Sequence, residues 1–160
     1  QNDRVLEAGF GSGGLAMHIA RSLGPGGTLI SIERREEHAT VGAENMYRCA
    51  DVFPGMPTWT LLQRDIVGSS SEISALVDEL DAVILDMPEP WTAISEMSEM
   101  LRLGGRMACY SNITAMIKVF IQTSTSRLQS LLLTGRSCHK EHSCVISKFK
   151  YLPFKSYGQS

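Results

Sequence analysis

The sequence is short of aromatic residues, which make up 7% of its 160 positions, and it carries four cysteines without a framework spacing, Cys49, Cys109, Cys138 and Cys144. Scattered thiols of this kind exclude a disulfide-stapled secreted scaffold and fit a reducing, cytoplasmic compartment. Long apolar runs are missing too. Residues 82–85 and 131–133 stop far short of the roughly 18 residues that would argue for a membrane span. Acids are scarce in one place: residues 100–160 hold nine Lys and Arg against the single acid Glu141, a net of +8, and leave −10 for the remainder. A basic C-terminal third suits phosphate contacts with a nucleic acid as well as an ordinary solvated face. What is present is ordinary for a folded chain. At 43% hydrophobic and 20% charged the composition excludes a disordered protein, and 160 residues suffice for one domain that buries roughly 70% of its unfolded surface. The chain opens on Gln1-Asn2-Asp3-Arg4 with no initiator Met and no signal sequence ahead of an apolar strand pattern, as expected of a chain whose natural start lies upstream.

The pattern alternates. Apolar strand-like runs at 4–8, 28–32, 59–63, 81–85 and 106–110 are separated by helical spacing at 15–23, 36–48, 72–79 and 91–103, with a further helix expected at 114–124. Residues 143–152 read as a basic-faced edge strand, Lys148 and Lys150 alternating with Phe149 and Tyr151. Five strands alternating with helices imply a doubly wound, mostly parallel α/β sheet in three layers, whose ligand sites lie beyond the carboxyl ends of the strands. The residues that close each strand are therefore the candidates for chemistry.

The first strand closes in Glu7-Ala8-Gly9-Phe10-Gly11-Ser12-Gly13-Gly14. Glycines here allow a sharp turn and a close ligand approach, while the helix that follows presents free N–H groups and a positive dipole end. Gly9, Gly11 and Gly14 also satisfy the dinucleotide fingerprint, so the glycines alone leave NAD and S-adenosylmethionine both open. Glu33 closes the second strand, 19 residues past Gly14, where an acid accepts from both ribose hydroxyls; beside it, the 2′-phosphate of NADP would be repelled. Asp65, after the third strand, is placed to accept from an adenine amino group or to cap a turn. The fourth strand runs into Asp86-Met87-Pro88-Glu89-Pro90-Trp91, a loop stiffened by two prolines that holds Asp86 and Trp91 at the sheet edge. The plainer reading of that loop puts Pro90 at a helix start and Trp91 in the core.

Four motifs in order, Val5 to Gly13, Ile32-Glu33-Arg34-Arg35-Glu36-Glu37-His38-Ala39, Leu85 to Trp91 and Asn112-Ile113-Thr114, resemble the tRNA (adenine-58-N1)-methyltransferase family, over residues 4 to about 117. The resemblance implies a Rossmann-like class I methyltransferase domain over residues 1–160 that uses S-adenosylmethionine. It implies that Glu7, Gly9, Gly11, Ser12 and Gly13 shape the methionine end of the cofactor site, that Glu33 and Arg34 flank the ribose, and that Asp65 faces the adenine. Asp86 matches the family's catalytic aspartate and also borders the cofactor, with Pro88, Trp91, Asn112 and Thr114 on the substrate side. The implied partners are tRNA and further copies of the chain in a homotetramer. A catalytically silent RNA-binding subunit and an NAD-linked oxidoreductase are the alternatives. The chain departs from the family in lacking its small N-terminal β domain, in Ala115 where Gln is usual, and in an atypical stretch over 126–160. The adenine-N6 DNA methyltransferases, whose loop has adjacent prolines, fit less well, because Met87 and Glu89 interrupt that pattern. Cys138, His139, His142 and Cys144 crowd together, but their spacing matches no usual zinc pattern and Lys140 disfavours a cation, so no metal is expected.

Overall fold

The structure, a computed structural model, describes residues 2–110 with their side chains, and Ser111 and the strands at 131–138 and 141–148 as backbone. Asn112 and Thr114, the expected helix at 114–124 and the Cys/His side chains of 138–144 lie outside the described side chains. No helix among the described residues is long and apolar enough to cross a membrane.

Strands β1 (Arg4–Ala8), β2 (Thr28–Glu33), β3 (Thr58–Gln63), β4 (Leu80–Asp86), β5 (Leu101–Ser111), β6 (Leu131–Cys138) and β7 (Glu141–Lys148) form one sheet in the order β3-β2-β1-β4-β5-β7-β6. The first five run parallel, and β7 enters antiparallel between β5 and β6. A dinucleotide fold instead completes its second half with a parallel strand beyond β5, in the order 3-2-1-4-5-6. The reading of residues 143–152 as an edge strand is corrected here: β7 is paired on both sides, and the edge is β6.

Helices α1 (Gly14–Leu23) and α2 (Glu36–Val52) cover one face, and α3 (Ser70–Ser74) with α4 (Ile94–Met100) covers the other. Strand alternation decides which side chain goes where. Val5 and Leu29 join Ala16, Ala20 and Met46 under the first pair, while Leu6, Ala8, Ile30 and Ile32 join Ile73, Ile94 and Met97 under the second. Two helices end differently from the sequence pattern. The expected helix at 72–79 shrinks to Ser70–Ser74, because the Ile73 carbonyl takes both the Leu76 and Val77 N–H groups and the chain tightens so that Val77 and Leu80 reach the same core. The expected helix at 91–103 becomes a 3₁₀ turn, Pro90–Thr92, followed by α4. It stops at Met100 because Leu101 is extended and pairs with Leu80, after which Gly104 turns through φ 79°.

Candidate functional site

The carboxyl ends of β1, β2, β3 and β4 open on a cleft of about 230 Å³, lined by Ala8, Gly9, Ile32, Glu33, Arg34, Arg35, Arg64, Asp65, Ile66, Asp86, Met87, Pro88 and Glu89. The glycine turn is pinned beneath it: the Gly9 and Phe10 N–H groups both donate to the Ile32 carbonyl, at 3.1 and 3.2 Å, and Gly13 N–H donates to the Phe10 carbonyl at 2.9 Å. Gly9 has φ 92°, and a Cβ there would lie 1.7 Å from the Asp86 carbonyl oxygen. Glycine is therefore obligatory where β1 and β4 approach each other at the cleft floor. Phe10 turns the opposite way, buried, with its ring 5.8 Å from that of Trp59.

Glu33 is buried, and three donors hold it: Arg35 N–H at 2.9 Å and Arg35 Nε at 3.2 Å on Oε1, and Gly11 N–H at 3.0 Å on Oε2. Burial pushes its pKa up, but these hydrogen bonds and the Arg35 charge outweigh it and hold the carboxyl below its ordinary value. A carboxylate has about four acceptor positions, so one remains on Oε2. Accepting from both ribose hydroxyls, as the sequence suggests, requires the exposed Arg35 to release Nε. Asp65 caps a turn, taking Val67 N–H at 3.1 Å on Oδ1, and pairs with the exposed Arg34 guanidinium at 3.4 Å. It caps that turn while lining the cleft.

Glu7 lies outside the cleft lining and is 1% exposed. Ser31 Oγ donates to its Oε1 at 2.7 Å, and Trp59 Nε1 donates to Ser31 Oγ at 3.0 Å. Burial, reinforced by the nearby charge of Asp86, raises its pKa to about 7 against the Ser31 hydrogen bond. The stability consequence follows from linkage. Below 4.5, its ordinary value, folded and unfolded chains both hold the proton; above it the unfolded chain releases the proton first, so Glu7 lowers stability progressively until about pH 7. Glu7→Gln keeps an acceptor for Ser31 without the charge, and should raise unfolding free energy by about 2 kcal/mol at pH 8 and hardly at all at pH 4.5. Urea unfolding at the two pH values checks this, and an equal gain at both would contradict it.

Of the other expected residues, Gly11, Ser12 and Gly13 continue the turn and are not among the residues lining this cleft, with the Ser12 carbonyl accepting from Asn45 Nδ2 at 3.0 Å. Asp86 is exposed at the end of β4 and lines the cleft with Pro88. Trp91 packs half-buried against the α3/α4 core, and Pro90 starts the 3₁₀ turn, both as in the plainer reading of that loop.

Residues 1–133 match the family described as "tRNA methyltransferase complex GCD14 subunit". The chain belongs to that family. The match agrees with the resemblance carried by the four motifs. The chain is 24% identical over 139 residues to "tRNA (adenine(57)-N(1)/adenine(58)-N(1))-methyltransferase TrmI" of Methanocaldococcus jannaschii, covering 76% of this chain and 49% of that protein. It is 30% identical over 136 residues to "tRNA (adenine(58)-N(1))-methyltransferase TrmI" of Thermus thermophilus, covering 82% and 50%. It thus spans about half the length of these curated relatives. Among solved structures, a putative rRNA-methylase from Clostridium thermocellum superposes with a TM-score of 0.74 at 16% identity, covering 92% of this chain and 87% of that one. An O-methyltransferase from Bacillus cereus in complex with SAH gives 0.73 at 16%, covering 92% and 74%. At such identities the likeness is one of fold, the Rossmann-like class I methyltransferase.

Within this GCD14 frame, sequence reasoning missed Arg35, Arg64 and Glu89 on the cleft and Gly42 behind it. Gly42 sits in mid-α2, and a Cβ there would come within 2.2 Å of the Phe10 ring and 2.6 Å of the Gly11 carbonyl oxygen, so its bareness is what lets α2 press the glycine turn into shape. An isolated glycine inside a helical pattern was the available signal. Among the described residues, no three His, Cys, Asp or Glu side chains are placed to hold a metal ion.

Proposed function

We propose that residues 1–160 are the catalytic domain of an S-adenosylmethionine-dependent enzyme that methylates N1 of adenine 58 in the T-loop of tRNA. The observation that carries this reading is the shared cleft: Gly9, Glu33 and Asp65 line it together with Asp86 and the proline loop. A floor that a single Cβ would fill, a buried ionised carboxylate with an acceptor position to spare and an acid at the third strand end suit the turn, ribose and adenine of an adenosyl cofactor. The antiparallel β7 beside β5 disfavours a dinucleotide.

Bound S-adenosylmethionine supplies an electrophilic methyl group on a sulfonium centre. The ring nitrogen N1 of adenine is its own nucleophile, so this chain has only to seat the base in line and exclude water. By accepting from the N6 amino group, the Asp86 carboxylate raises electron density at N1 and offsets the positive charge that spreads over the ring. It is also the group to receive a proton from N6 afterwards. Pro88 and Pro90 fix the path of the loop around that carboxylate, with Trp91 anchoring it. Asn112 and Thr114 belong to the substrate side of this reading. The Lys and Arg of residues 100–160 supply the charge for the tRNA backbone. A cytoplasmic setting and a homotetramer complete it.

The test is transfer of a labelled methyl group to unmodified tRNA, with mapping of the product. Label at N1 of adenine 58 is expected. Binding of S-adenosylhomocysteine without transfer would make the chain a silent partner subunit, and binding of NAD in its place would overturn the reading.

A further inference from the structure

Glu96 stands on α4, outside the cleft, yet both of its carboxylate oxygens serve the segment that follows β3. Oε2 accepts Gly68 N–H at 2.8 Å, and Oε1 accepts Ser70 N–H at 2.8 Å. The segment has its own turn bonds: Val67 N–H to Asp65 Oδ1, Ser69 N–H to the Ile66 carbonyl at 3.2 Å and the Ser69 hydroxyl to the Asp65 carbonyl, with Gly68 at φ 81°. Those bonds fix its shape. The two bonds from Glu96 tie that shape to α4.

The opposite wall of the cleft runs into the same helix. Thr92 N–H donates to the Glu89 carbonyl at 3.1 Å, Ala93 N–H to the Pro90 carbonyl at 3.2 Å and Met97 N–H to the Ala93 carbonyl at 2.9 Å, so Glu89 to Met97 is one continuous hydrogen-bonded piece. Pro88 and Pro90 stiffen its start. Glu96 is thus two short steps from each wall.

We propose that Glu96 is a positioning residue that sets the separation of the cleft walls, holding Asp65 and Ile66 at a fixed distance from Asp86 to Glu89 through α4. The functional part of this inference rests on the reading of the cleft as a cofactor site. A carboxylate is what the geometry asks for: two splayed acceptors meet two N–H donors two residues apart. Glutamine keeps one acceptor and turns an NH₂ against the other donor, and aspartate is a methylene too short. Burial pushes the Glu96 pKa up, but the Gly68 and Ser70 hydrogen bonds outweigh it and the neighbouring charge of Glu72, and the carboxyl stays below its ordinary value.

The experiment compares wild type, Glu96→Gln and Asp81→Asn as the full chain by hydrogen exchange without ligand, then by calorimetry with S-adenosylhomocysteine. Asp81, at the far end of β4 from the cleft, accepts Arg4 N–H at 2.8 Å and pairs with Arg4 and Arg102, so its variant loses stability without touching the cleft. Glu96→Gln should raise exchange about fivefold or more at residues 66–70 and also at 87–93. It should weaken S-adenosylhomocysteine about tenfold, as though the competent arrangement were populated a tenth of the time. Asp81→Asn should do neither. Faster exchange at 66–70 with residues 87–93 at wild-type rates would overturn the proposal, as would the same changes in Asp81→Asn. Wild type that binds no S-adenosylhomocysteine refutes the functional reading instead, while exchange at 87–93 still decides whether Glu96 couples the walls.

Discussion

Replacing Asp86 by alanine should lower the rate of methyl transfer by roughly 10²–10⁴ while leaving S-adenosylhomocysteine affinity within a few-fold of wild type, the range for a positioned charge-stabilising or acid–base group. The split is expected from where the residue sits. Its backbone carbonyl forms the floor against Gly9, and alanine keeps that carbonyl; its exposed side chain ends in the cleft beside Pro88 and Glu89. Asp86→Asn should fall between the two, because an amide oxygen still accepts from N6 but brings no charge to balance the ring. Single-turnover transfer at saturating tRNA reads the effect on chemistry, and calorimetry reads the pocket. An unchanged rate in Asp86→Ala would remove this carboxylate from the mechanism. Loss of rate and of cofactor binding together would show that it builds the pocket.

Gly9→Ala should abolish S-adenosylhomocysteine binding and cost about 3 kcal/mol or more of stability. Two effects add: a positive φ costs a residue with a Cβ roughly 1–3 kcal/mol, and the new methyl would be forced to within 1.7 Å of the Asp86 carbonyl oxygen. Gly24 separates them, since it has φ 67° and open space around its missing Cβ. Gly24→Ala should show the backbone cost alone and bind ligand normally. Denaturant unfolding and calorimetry on the pair measure both. If Gly9→Ala behaves like Gly24→Ala, the contact between β1 and β4 is not what holds the cleft floor.

Much of the site was legible because strand ends in a parallel sheet converge. Gly9, Glu33, Asp65 and Asp86 each close one of four adjacent strands, and period and punctuation alone locate such positions. What escaped depended on residues brought together from afar. That Glu33 would also be clasped by Gly11, 22 residues away, follows from the turn lying against the end of β2, and nothing local in the pattern encodes it, whereas Arg35 is a donor only two residues on. The raised pKa of Glu7 needs its burial within the assembled sheet and the charge of Asp86 on another strand, which together outweigh the Ser31 hydrogen bond. The ends of α3 and α4 were misjudged because Val77, Leu80 and Leu101 answer to the core rather than to helix propensity. The place of β7 depends on its pairing partner β6, which the triple leucine at its start does not announce as a strand.

The antiparallel entry of β7 has a consequence for how the molecule is assembled. The sheet is closed from the inside by the last of the described strands in sequence, so until residues 141–148 have been added β5 is a bare margin with its backbone donors and acceptors on offer. A chain cut short upstream of Glu141 would therefore be inclined to clump with its siblings rather than merely lack a strand.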